Sequence, residues 1–412
     1  MMAHALRIPY CTLLLLTFGC ANIPSFPLRA QPTPVSVSQA TSTPQPLSTS
    51  TAPSSTLGRV LRVWLPPQFD PNAGTRSAEL LNQRLLGFET SHPGLDVVVR
   101  IKSEDGETGL LNSLSVTSMA APDAMPDLVA LSRPALYDAA LKGLLHPMDG
   151  LSSILDDPNW YVYARELGYI QNIGYGLPFA GDALVMLDRL EIEINTWDNI
   201  FSSEESLVFP VSDPQALVAL SLYVSAGGKL INEQGLPTLD EEPLTQTLTF
   251  IQNGLQEQAF LPAMINYETD MQSLQAYRDG RANIAIGWAV NYHQVDDGVM
   301  QPIPSLNAPH TFANSWIWTL AGSNPENQQV ATELAEYLIA DEFASNWLGE
   351  TGYLPTRVSQ NSEANVILES AQAIPSNDVL LVLGPIMSQA LIRVLNGDQV
   401  ESVVRSVMEQ VQ

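Results

Sequence analysis

The 412-residue chain is poor in cysteine, in positive charge and in the short motifs of familiar catalysts, and each shortage excludes something. Its two cysteines are Cys11 and Cys20. Cys11 lies in an N-terminal apolar segment that reads as a leader, so the mature chain can form no internal disulfide and no cysteine-ligated metal site. Stability has to come from burial. With 18 Lys+Arg against 44 Asp+Glu, the formal net charge is -26, and the acids are scattered rather than blocked. A surface of that sign repels phosphate backbones, which excludes nucleic acid as a partner. Gly-x-Ser-x-Gly, the phosphate-binding loop and His-Glu-x-x-His are all missing. His92, His146, His293 and His310 stand apart, with no carboxylate at a ligand spacing, and read as surface or packing residues. Gly174-Tyr175-Gly176 lacks the third glycine of a dinucleotide loop, and Asp70-Pro71-Asn72-Ala73-Gly74 lacks the later ligands of a calcium loop. Both read as turns. No metal and no cofactor is expected.

What is present begins with Leu13-Leu14-Leu15-Leu16-Thr17-Phe18-Gly19-Cys20. Spanning a bilayer takes about 20 apolar residues, so this run suits the core of a signal peptide instead. Gly19 before Cys20 resembles a lipobox, in which the cysteine is acylated and becomes the first residue after cleavage. Thr17 and Phe18 depart from the usual Leu and small residue, and the plainer alternative is ordinary secretion with cleavage near Leu28-Arg29-Ala30. From Gln31 to Thr56 the chain is almost wholly Pro, Ser, Thr, Gln and Ala without charge, the composition of an extended tether. The expected organisation is therefore a leader at 1–19, a lipid-anchored Cys20 with its tether at 20–56, and a folded domain at 57–412. No later apolar run is expected to cross a membrane, and the domain is expected outside the cytoplasm, as a monomer. Roughly 350 folded residues exceed what one hydrophobic core usually serves, which predicts two lobes.

Order begins with the alternating Val60-Leu61-Arg62-Val63-Trp64-Leu65, a predicted strand closed by Pro66-Pro67. Leu80, Leu81, Leu85 and Phe88 recur at helical spacing, and Leu95 to Ile101 reads as a second strand after Pro93-Gly94. Leu128 to Leu131 and the helix-like Ala135 to Leu141 continue the alternation, which argues for a parallel α/β sheet. Helical patterns cover 214–226, 244–258, 270–279, 326–340, 342–348, 379–395 and 400–411, with a short strand at 282–287 and an apolar one at Trp316 to Leu320.

Several phrases, taken in order, resemble the extracellular solute-binding proteins of ABC importers, the group that includes maltose-binding protein. They include Phe88-Glu89-x-x-His92-Pro93-Gly94-Leu95-Asp96-Val97, Gly143-Leu144-Leu145-His146-Pro147-Met148-Asp149, Tyr175-Gly176-Leu177-Pro178-Phe179, Ile286-Gly287-Trp288 and Thr351-Gly352-Tyr353-Leu354-Pro355-Thr356-Arg357. The resemblance implies an α/β, two-lobed periplasmic-binding-protein-like fold (type II), with hinge crossings between the lobes and ligand in the cleft. It implies a first lobe of about 57–179 and 302–317 and a second of about 180–301 and 318–412. One departure stands out. Where the family continues past the hinge to a Tyr-Asn pair and a lysine, this chain has Leu184-Val185-Met186-Leu187-Asp188-Arg189-Leu190.

A sugar site needs aromatic rings against C–H faces and planar polar groups for hydroxyls. Trp64 ends the first strand, where open α/β sheets meet ligands, and Gln68 and Phe69 follow on its loop; Trp64 serves a core equally well. Asp182 follows the hinge sequence, matching an acidic residue that contacts sugar in the resembling group, or it is a capping carboxylate. Trp288 follows Gly287, which would let backbone approach a ligand, with Asn291 and Tyr292 beyond it. Trp316 is chosen over Trp318, its neighbour on the opposite face of one strand. Tyr353 and Arg357 flank a turn, and for Arg357 a structural ion pair is the stronger reading. The implied function is a lipid-anchored, non-enzymatic receptor that captures a sugar or oligosaccharide for ABC permease transmembrane subunits. The rivals are a surface sensor or adhesion lipoprotein on the same fold, and an exported glycoside hydrolase that uses Asp182 with a second carboxylate.

Overall fold

The computed structural model describes residues 58–203, 205–293, 295–358 and 364–411. The leader, Cys20 and the tether lie outside the described residues.

Among the described residues there are eleven strands: β1 (Arg59–Leu65), β2 (Leu95–Ile101), β3 (Leu128–Ser132), β4 (Tyr169–Ile170), β5 (Ile173–Gly174), β6 (Gly176–Asp188), β7 (Leu207–Val208), β8 (Ile284–Trp288), β9 (Val299–Gln301), β10 (Thr311–Leu320) and β11 (Ala371–Ala373). Apart from the β4–β5 hairpin they form one hydrogen-bonded path, β2-β1-β3-β10-β6-β8-β7, with β11 joined to β10 and β9 to β6. The β-branched alternation of β1 does what it predicts. Leu61, Val63 and Leu65 are buried, and β1 pairs in parallel with β2 along its whole length, Arg59 opposite Leu95 through Leu65 opposite Ile101.

The sheet is mixed rather than parallel. β10 runs antiparallel to both β3 and β6, and β6 antiparallel to β8 and β9. The alternation of strands and helices reports crossover units only, and β6 and β10 are long strands without a helix between their halves, so the pattern does not disclose their direction. These two strands join the lobes. The first part of β6 pairs with β10, and Leu184 to Asp188 pairs with β8 in the second lobe. β10 crosses the other way, its C-terminal half, Trp316 to Leu320, lying against β3 in the first lobe.

The segment leading into β10 is hydrogen-bonded to the chain on either side of β7. Ser305 accepts from the Trp197 amide, and Asn307 and Ala308 donate to the Ser225 carbonyl, all on the second-lobe side. After β10, helix Pro325–Leu338 packs on β1 and β3, and helix Asp341–Thr351 packs on helix Arg76–Ser91. Pro178 lies within β6, opposite Ile317, and Pro302 follows the short strand β9.

The second lobe is helical behind its short strands. Helices Leu217–Ser225, Glu241–Gln256, Asn377–Leu395 and Val400–Gln410 pack against one another. Asn377–Leu395 is long and apolar enough by composition to span a membrane, contrary to the expectation that no such run follows Cys20. Val379, Leu380, Leu383, Met387, Ala390, Leu391 and Val394 are buried against its neighbours, the pattern of a core helix.

Candidate functional site

The strands that cross between the lobes also carry the site. Where β6 passes from β10 to β8 it presents Ala180 and Asp182; β10 presents Asn314, Ser315 and Trp316 opposite them. The end of β3 contributes Ser132, and the loops past β1 and β2 contribute Gln68 and Glu104. From the second lobe come Trp288, which closes β8, with Val290 and Asn291 on the four-residue helix Ala289–Tyr292; Tyr353 completes the wall. Together these residues line a chamber of about 210 Å³.

Trp288 also borders two further chambers. One, of about 190 Å³, lies among Asp213, Gln215, Glu268, Thr269 and Asp270. The other, of about 560 Å³, is lined by Arg133, Tyr137, Glu166, Asn314 and the segment from Ala373 to Asp378. Trp288 is therefore the ring on which the cleft branches.

Close backbone approach holds this region together at two glycines. A Cβ on Gly181 would sit 2.8 Å from the Leu354 carbonyl, because Gly181 and Leu354 exchange backbone hydrogen bonds of 2.8 and 2.6 Å. That pairing fastens the turn bearing Tyr353 to the crossing strand. At Gly287 an added Cβ would lie 2.6 Å from both the Asp270 Cβ and the Tyr292 hydroxyl. The glycine before Trp288 thus makes room for protein neighbours, not for a ligand as the sequence suggested.

The electrostatics are those of desolvated acids. Burial raises the Asp182 carboxyl to about 8, against the pull of the Val290 and Ala183 amides that donate to it and with a further push from Asp270. Its Oδ1 accepts from Val290 at 3.2 Å and Ala183 at 3.0 Å, which ties β6 to the helix carrying Asn291. Burial and neighbouring Asp105 raise Glu104, opposed by a hydrogen bond with Gln68. Tyr353 is pushed up to about 12, by burial first and then by the Asp182 charge, opposed by hydrogen bonds with Trp316 and Gln68. Among the described residues lining the central chamber there is no lysine or arginine. An anion would find no cationic side chain there, whereas hydroxyl groups would find amides, hydroxyls and carboxyls.

Of the residues singled out in the sequence, Gln68, Asp182, Trp288, Asn291, Trp316 and Tyr353 line this chamber. Four do not. Trp64 is 2% exposed, since both faces of β1 are covered, and the Lys102 ammonium sits 5.0 Å from its ring centroid. Phe69 is equally buried and packs at 5.3 to 5.6 Å from Phe179, Trp316, Trp347 and Tyr353, so it backs the wall instead of forming it. Tyr292 is turned inward behind Gly287 at 1% exposure. Arg357 pairs with Asp157 at 2.6 Å and lies against Trp160, the structural ion pair. Sequence reasoning missed Glu104, Ser132 and Asn314. Glu104 sits in an acidic turn like others in the chain, and nothing periodic marks the other two.

The fold is two-lobed, with a cleft at the strand crossings. The chain belongs to the bacterial extracellular solute-binding protein family, whose family model matches residues 87–371. Comparison with curated proteins returns no match. Among solved structures it is similar to maltose-bound MalE3 of T. maritima, at 15% identity over 85% of this chain and 98% of that one, with a TM-score of 0.63. It is similar also to the cyclic α-maltosyl-1,6-maltose binding protein of Arthrobacter globiformis, at 13% identity over 85% and 97% with a TM-score of 0.69. The sugar-binding protein MalE of Xanthomonas citri gives 17%, 85%, 96% and 0.67 on the same measures. At such identities the likeness is one of fold.

Proposed function

We propose that this protein captures a neutral sugar or oligosaccharide outside the cytoplasm and hands it to an ABC permease, without chemical change. The observation that carries the reading is the central chamber itself. Trp288, Trp316 and Tyr353 supply rings for the apolar faces of a pyranose, while Gln68, Asn291 and Asn314 supply planar polar groups for its hydroxyls. Asp182, raised to about 8 by burial, fits the same role, since a protonated carboxyl can donate to a hydroxyl as well as accept from one. Support also comes from fold relatives described as bound to maltose, maltotetraose and α-D-tagatose.

Closure of the lobes around ligand would create the composite surface that a permease reads. The lobes we assign are β1 to β3 with the helices between and just after them, the start of β6, the end of β10 and the helices at 325–351, against β7 to β9 with the helices at 217–225, 241–256, 377–395 and 400–410. Acylation of Cys20 and the tether beyond it would keep the receptor beside its transporter as a monomer. Replacing Cys20 with Ser is expected to abolish lipid labelling and release the protein from membranes; unchanged retention would remove the anchor from the account.

Titration calorimetry with maltose, maltotetraose, D-tagatose, polyols, amino acids and polyamines tests the reading. Saturable, one-to-one binding of a neutral saccharide, with the saccharide recovered intact, is the expected result. Binding of polyamines alone would reassign the acidic chamber to cations, and release of shorter sugars would favour the hydrolase.

A further inference from the structure

Trp288 and Asn291 both line the central chamber, and Trp288 packs only in part against the core. Trp288 is only part-buried, and the helix that carries Asn291 is four residues long. Beyond the pairing of Trp288 with Leu184 across β8 and β6 and the Val290 bond to Asp182, one oxygen atom links the two. Oδ2 of Asp270 accepts the Trp288 backbone amide at 3.0 Å and the Asn291 side-chain amide at 2.8 Å. Asp270 can reach both because residue 287 has no side chain: a Cβ there would fall 2.6 Å from the Asp270 Cβ and 3.0 Å from Oδ2 itself. Asp270 is in turn fixed from its own side. It is the first residue of helix Asp270–Arg278, whose preceding Thr269 and following Gln272 form a reciprocal cap that sets the start of the helix.

We infer that Asp270 is the positioning residue of the ligand platform, holding Trp288 and Asn291 in register with each other through a single bifurcated acceptor. The inference rests on the reading of Trp288 and Asn291 as ligand contacts, but the positioning itself is a property of the free protein. A carboxylate with two N–H donors is a stiff support, because charge-assisted hydrogen bonds are shorter and stronger than neutral ones. Losing it loosens the backbone that aims the Trp288 ring, and leaves the Asn291 side-chain amide without this acceptor.

The full-length protein labelled with 5-fluorotryptophan tests this by fluorine NMR. Seven tryptophans give seven lines, and Trp288→Phe identifies the one in question. Asp270→Ala is expected to shift and broaden the Trp288 line while the other six hold, and to speed hydrogen exchange of the Trp288 amide at least about 10-fold as its acceptor is lost. Asp270→Asn keeps an acceptor oxygen and is expected to restore both. Glu326→Ala removes the first-turn acid of another helix and is expected to leave the Trp288 line alone. If Asp270→Ala does not fold, Asp270→Glu, which displaces the carboxylate, carries the same prediction. An unmoved Trp288 line, or an Asn variant as perturbed as the Ala variant, overturns the proposal. Wild-type titration with maltotetraose runs alongside, so that a failure to bind sugar counts against the ligand reading and not against the positioning.

Discussion

The two walls of the cleft are supported in opposite ways. On the first-lobe side, Trp316 and Tyr353 rest on Phe69, which touches Phe179 and Trp347 in one buried aromatic cluster. On the second-lobe side, Trp288 and Asn291 share one carboxylate oxygen as acceptor, in addition to the pairing of Trp288 with Leu184. Ring packing resists displacement in every direction and is indifferent to protonation, whereas a polar mount holds its load in one geometry and depends on the state of a few acids. The contrast suggests that the first wall is a fixed face and the second an adjustable one.

Phe69→Ala should have the largest effect. Removing a buried ring that four others touch is expected to cost about 3–5 kcal/mol of stability, read from denaturant midpoints. A loss below about 1 kcal/mol would mean that the first wall is not mounted on Phe69. Next comes Gly287→Ala on the second wall, where the new methyl meets the Asp270 Cβ at 2.6 Å. Overpacking of that kind is expected to cost about 1–3 kcal/mol and to weaken sugar binding together with stability. Affinity untouched by a destabilising Gly287→Ala would separate Asp270 from the platform.

The seam between the walls is sensitive to pH through Asp182. Its carboxyl is raised from 3.8 to about 8. Between those values the folded state keeps a proton that the unfolded chain releases. The contribution is therefore fully present below about pH 4, is lost as pH rises through about 8, and changes no further above that. Asp182→Asn should flatten the slope of stability against pH in this window relative to the parent protein, followed by urea midpoints at several pH values. An identical slope in the variant would show that Asp182 titrates as an ordinary surface acid.

Much of this architecture was legible in the residues. The strands β1 to β3 follow from β-branched alternation between proline and glycine turns, and the helices from apolar spacing, because both periodicities are local. The crossing strands were legible only in part. Trp316 to Leu320 reads as a strand, but its extension back to Thr311 and the antiparallel course of β6 depend on partners more than a hundred residues away. The site divides in the same way. Trp288 and Tyr353 stand in recognisable phrases, with Asn291 three residues past Trp288, while Asn314 and Ser132 owe their place to register across β10, β6 and β3. Trp64 and Phe69 were expected in the cleft because strand ends usually meet ligands. They are instead covered, one by Lys102 and the other by four rings, and no local pattern announces a cover that comes from distant chain.

The central claim is that Trp288 is a ligand platform and not a core residue, and Trp288→Ala in parallel calorimetry and thermal unfolding tests it most directly. The account predicts that sugar affinity falls by about 1–3 kcal/mol, as for a well-buried interface aromatic, while the unfolding midpoint stays almost unchanged. A large fall in stability, with affinity intact, would contradict it and return Trp288 to the core.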